Sequence, residues 1–179
     1  MYNILLSPRE ISHRGQKISN ILKPLSRIPY GPAYNMKQGV GTIIIGTHDG
    51  APSYSEYTSW RFATQSRGYY ASYYEKWTSI NEEDSQFCLE RAYLTIYRNQ
   101  EEFICLHCDP NEEDIDGQGK VVYKKCPHLH IKRAEEPIPK AHISIAVGYI
   151  TEVLASASSL TDTLKYGIQM IKDEIMDRL

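Results

Sequence analysis

The strongest constraint on the fold lies in three short segments, Phe103 to His107, His128 to Ile131 and His142 to Val147, in which aliphatic residues alternate with histidine or other polar groups. Successive side chains on a strand point to opposite faces, so Ile104 and Leu106 are expected on one side and Cys105 and His107 on the other. The second segment separates Leu129 and Ile131 from His128 and His130. The third separates Ile143, Ile145 and Val147 from His142 and Ser144. Such a chain calls for a sheet with one greasy face. If the three strands share that sheet, four of the six histidines gather on its other face.

A chain of 179 residues is long enough for one sizeable core and short for two, so one domain spanning 1–179 is expected. Ser7-Pro8-Arg9-Glu10 starts a helix, with Ser as cap, Pro in the first turn and Glu three residues on, and the helix should run to about Leu22. Val40 to Ile45 is an apolar run between turns and reads as a buried strand. The aromatic-rich stretch from Tyr54 to Trp77 reads as loop or short helix. Arg91 to Arg98 alternates, with Leu94 and Ile96 opposite Tyr93, Thr95 and Tyr97, and leads through Asn99-Gln100-Glu101 into the next strand as a hairpin. That hairpin sets the tyrosines beside Cys105 and His107. After an acidic loop from Asp109 to Gly119, strand character resumes at Val121. At the tail, Leu160, Leu164, Ile168, Ile171, Ile175 and Leu179 form a helical stripe behind a capping box at Ser159 to Asp162. The expected class is α+β, a mostly antiparallel sheet packed on an N-terminal and a long C-terminal helix. The tail stripe is expected to pack on the sheet, with docking of a partner as the alternative.

With 20 Lys+Arg against 22 Asp+Glu, the chain lacks the bulk positive field of a protein that wraps nucleic acid by counterion release. Any contact with nucleic acid must be local. No segment approaches the roughly 20 apolar residues that span a bilayer, and the opening apolar run is too short for a secretory signal, so the expected compartment is the cytoplasm. Four cysteines are too few for a disulfide scaffold in a chain of this length.

Two metal arrangements are open. Cys105, Cys108, Cys126 and His128 have the residue types zinc prefers, although a strand would send Cys105 and Cys108 to opposite faces. His128 and His130 with His107 or His142 would make an all-histidine site for a transition metal. The acidic run Asp109 to Gly117 does not satisfy calcium-loop spacing, because its glycine comes too late after Asp109. Without a metal, neighbouring imidazoles can serve as general base and general acid, since both protonation states are accessible near neutral pH. The candidate catalytic residues are therefore His107, His128, His130 and His142. That chemistry suits RNA, whose 2′-hydroxyl is a built-in nucleophile. Lys132, Arg61 or Arg67 would stabilise phosphate oxygens, and Tyr93 and Tyr97 would line the substrate face. The structural alternative is that tyrosines and histidines simply cover a half-exposed sheet face.

His142-Ile143-Ser144-Ile145 looks like one half of the paired signature of two-histidine phosphoesterases, but Thr47-His48-Asp49 lacks the hydroxyl residue needed for the other half. The hairpin from Tyr93 leading through a loop to Pro127-His128-Leu129-His130 resembles TumE-like toxins of bacterial toxin-antitoxin pairs over about a quarter of the chain. The resemblance implies a small prokaryotic toxin-like or defence-associated effector acting on nucleic acid, with an antitoxin or a larger effector subunit as protein partner. It transfers no catalytic residue. The competing expectation is a non-enzymatic adaptor that presents its Tyr-rich surface or its C-terminal helix to a protein partner.

Overall fold

The computed structural model describes residues 4–27, 32–37, 39–45, 60–110, 127–132, 140–144 and 150–179. Ser7 caps the first helix, α1 (Pro8–Leu22), through a reciprocal box. The Glu10 N–H donates to the Ser7 hydroxyl at 3.4 Å and the Ser7 N–H donates to the Glu10 carboxylate at 2.8 Å. Ser7→Ala is expected to lower stability by about 1 kcal/mol, the usual cost of losing such a cap. Urea unfolding of the two proteins measures it, and an unchanged midpoint would show that the box adds nothing.

Nine strands among the described residues form one antiparallel sheet. They are β1 (Leu5–Leu6), β2 (Pro32–Lys37), β3 (Val40–Ile45), β4 (Phe62–Ala63), β5 (Tyr69–Ser79), β6 (Phe87–Arg98), β7 (Glu101–Cys108), β8 (His128–Ile131) and β9 (Ala141–Ser144). The main order is β2-β3-β5-β6-β7-β8-β9, with β1 against β6 and β4 against β5. Two helices follow, α2 (Ile150–Val153) and α3 (Ala157–Met170), the latter running on through a π turn at Ile171–Ile175 and a 3-10 turn at Met176–Arg178. The class is α+β, as the patterning predicts.

The hairpin between β6 and β7 closes over Asn99 and Gln100, with Arg98 facing Glu101. Both turn residues have positive φ, 50° and 71°, the backbone a two-residue type I′ turn requires. The tail stripe packs inward: Leu160, Leu164, Ile168, Ile171 and Ile175 are buried in the main core, while Leu179 is exposed. The cap lies three residues earlier than the sequence suggests, because Ser156 rather than Ser159 accepts the N–H of the first turn.

One expectation is corrected. The aromatic stretch contains β5, an 11-residue central strand hydrogen-bonded to β3 and β6. Helices cover its core face, and Tyr74 packs with Ile44 and Trp60 on the other, so almost every position from Tyr69 to Trp77 is buried. A strand covered on both faces loses the polar alternation that marks a half-exposed one. The expected strand residues 121–126 and 145–147 lie outside the described residues.

The core face holds an ion pair. Glu75 is completely buried between Tyr73 and Trp77 on β5, and Arg14 of α1, only 4% exposed, binds it through Nε and Nη2 at 2.8–3.0 Å. Tyr73 Oη and Trp77 Nε1 donate to the same carboxylate. Arg14 Nη1 reaches Ala157 O and Thr161 Oγ1 on α3. One carboxylate and one guanidinium thus join α1, β5 and α3 across the core.

Candidate metal and acid-base centre

Strand register assembles the site. Reading across the sheet, Tyr74 faces Tyr93, Tyr93 faces His107, His107 faces His128 and His128 faces Ser144. The next row on the same face runs Ser72, Thr95, Cys105 and His130. Directly opposed residues in an antiparallel pair have Cβ atoms about 4.5–5.5 Å apart, so these rows bring together side chains far apart in sequence.

His107, His128 and His130 converge. Their ring centroids are 3.9 Å (107 to 128), 4.7 Å (107 to 130) and 4.9 Å (128 to 130) apart. His107 Nε2 lies 3.3 Å from His130 Nε2. One nitrogen from each ring falls within 4.8 Å of the others, close enough for the three to hold one metal ion. His128 is fully buried, and His107 and His130 are half-buried.

Asp109, just beyond β7, organises the rim. Its Oδ2 lies 3.0 Å from His107 Nδ1, and its Oδ1 accepts the Tyr93 hydroxyl at 2.9 Å. The Tyr93 ring meets the His107 ring edge-on at 5.2 Å. A carboxylate on Nδ1 favours the tautomer protonated there, which leaves His107 Nε2 as a lone-pair donor facing His130.

The other expected site residues distribute differently. His142 stands opposite His130 in the β8–β9 ladder. Cys105 shares the histidine face and Cys108 lies in the main core, so the two thiols do not form a common zinc site; Cys126 lies outside the described residues. Burial pushes the Cys105 thiol up to about 12, against the lowering effect of its hydrogen bond with Thr95. Lys132 follows β8, two residues past His130, and its ammonium binds Glu102 at 2.9 Å. Arg61 lies over the Tyr97 ring, 4.1 Å from its centroid, and also donates to Gln100. Tyr97 is four residues along β6 from Tyr93, about 13 Å at strand rise. Arg67 is in the turn before Tyr69, which faces Arg98, a further residue away. Lys132 and Arg61 are thus already engaged, by Glu102 and by Tyr97 and Gln100.

Arg91 is the cation that sequence reading passed over. It precedes Tyr93 by two positions on β6, shares its face, and pairs directly with Lys76 of β5. Glu90 is held by both, through Lys76 Nζ at 2.7 Å and through Arg91 Nη2. Desolvation works against the Arg91 charge, and its bond to Glu90 and the nearby Tyr93 and Asp109 outweigh it, so its pKa is raised. The signal was in the sequence, since the alternation that placed Tyr93 also places Arg91.

Comparison with known protein families, curated proteins and solved structures finds no match to this chain. Its class is therefore stated from fold and site alone: an antiparallel α+β protein with a histidine triad on one sheet face. No helix among the described residues is long and apolar enough to cross a membrane.

Proposed function

We propose that this is a metalloprotein in which His107, His128 and His130 hold one zinc-class transition ion. The observation that carries the reading is the convergence of three imidazole nitrogens within 4.8 Å, with a carboxylate on the far nitrogen of one ring. Zinc binds imidazole at about 2.0–2.1 Å, and tetrahedral geometry then sets ligand nitrogens about 3.4 Å apart. The His107 to His130 separation of 3.3 Å suits that geometry. Three protein ligands are the number typical of catalytic zinc sites, where the ion polarises a substrate oxygen or activates water. Asp109 is the outer carboxylate that such ligating histidines usually carry. Metal-assisted hydrolysis is the reaction class this set of donors favours.

The test is zinc uptake by chelator-stripped protein, followed by elemental analysis and by melting with and without chelator. About one equivalent and a raised melting temperature are expected. Protein that takes up no zinc, cobalt or nickel would refute the reading.

The nitrogen pair also favours a second reading. Two imidazoles in contact, one oriented by Asp109, are equipped for general acid-base catalysis without a metal. RNA phosphodiester transfer would be the reaction, and a prokaryotic toxin-like effector the setting. RNA cleavage that persists in excess chelator and disappears in His130→Ala would favour this reading over the first.

A further inference from the structure

We propose that the metal site acts on a substrate bearing a phosphate-type oxyanion and that Arg91 is the residue that receives it. The inference rests on the metal reading above and adds to it the substrate class and a binding residue.

Position comes first. Tyr93 and His107 face each other across the β6–β7 ladder, so Arg91 is the diagonal neighbour of His107 on the same face. Diagonal Cβ atoms in such a pair are about 7–8 Å apart, within reach of a long side chain. An oxyanion lying on this face between the triad and Arg91 would be within reach of that side chain. Arg91 is also incompletely used. Its Nη2 binds Glu90, while its Nε is buried and makes no hydrogen bond among the described residues. The side chain as a whole is 40% exposed, so an oxyanion arriving from solvent would meet its terminal guanidinium nitrogens rather than the enclosed Nε, with the charge and planar donor set that arginine offers phosphate.

Charge agrees. Lys76 and Arg91 against Glu90 leave one positive charge, which Asp109 offsets. A divalent ion on the triad would then make the face cationic. An anionic group is the partner that such a face attracts, and Lys76 stands beside Arg91 to strengthen the attraction.

The experiment uses full-length protein loaded with zinc and titrated calorimetrically with inorganic phosphate, with acetate as the carboxylate comparison. Arg91→Met is expected to weaken phosphate binding tenfold or more, and Arg91→Lys, which keeps the charge without the fork, by several-fold. Circular dichroism checks the fold of each variant; if Arg91→Met does not fold, Arg91→Lys alone decides. Zinc-loaded protein that ignores phosphate, binds acetate as tightly, or binds phosphate equally well without Arg91 overturns this inference and leaves the metal reading standing. Failure to take up metal overturns the metal reading itself, and this inference with it.

Discussion

Replacing Glu75 by alanine is expected to lower the unfolding free energy by about 3–5 kcal/mol, the cost of leaving one partner of a buried ion pair uncompensated. Arg14 would keep its charge at 4% exposure and lose three of its five hydrogen bonds, retaining only Ala157 O and Thr161 Oγ1. Tyr73 and Trp77 would lose the acceptor of their polar hydrogens as well. Domains of this size are held by about 5–15 kcal/mol, so the variant should sit close to unfolding at room temperature. Urea denaturation followed by tryptophan fluorescence measures the loss, since Trp77 reports from the network itself. A loss below about 1 kcal/mol would mean that water or a shifted side chain satisfies Arg14. Glu75→Gln is the informative companion. It removes the charge and keeps one acceptor oxygen, but its NH2 would face the donors that the second carboxylate oxygen now accepts from, so a loss close to that of the alanine variant is expected.

His128→Ala should abolish metal binding while leaving a folded protein. His128 is the deepest of the three rings, fully buried and opposite His107, so its imidazole would close the inner side of the coordination sphere. Loss of an outer partner such as Asp109 typically weakens metal affinity by 10–100-fold. Loss of a direct ligand should exceed that, and competition against a chromophoric chelator would show it. Asp109→Asn is expected to fall within the milder range. Equal affinity in His128→Ala and the parent protein would exclude His128 as a ligand and refute the three-histidine metal site.

The pattern of success and failure in reading this sequence has a physical basis. The Ser7 box, the β6–β7 hairpin and the tail stripe were legible because each is specified within a few residues, by a cap, by a two-residue turn or by helical periodicity. The histidine face was legible from alternation alone. β5 was not, because a strand buried on both sides shows no alternation, and its aromatics and Glu75 find their partners in segments far away. Of the zinc set Cys105, Cys108, Cys126 and His128, the same alternation that placed the histidines sends Cys108 into the core, away from Cys105.

By itself, the amino-acid sequence determined which residues of β6, β7 and β8 share a face, where the first helix begins and that the class is α+β, since all of these depend on spacing along the chain. Only the tertiary structure decided which strands are neighbours and in what register. Register is set by interstrand hydrogen bonding and by packing of the whole greasy face against α1 and α3. It is register that sets His107 beside His128, Cys105 beside His130 and Arg91 diagonal to His107. It also sets Lys132 against Glu102 and Arg61 against Tyr97. The residue types could be read in advance, but the distances that make them a site arise only when strands remote in sequence align.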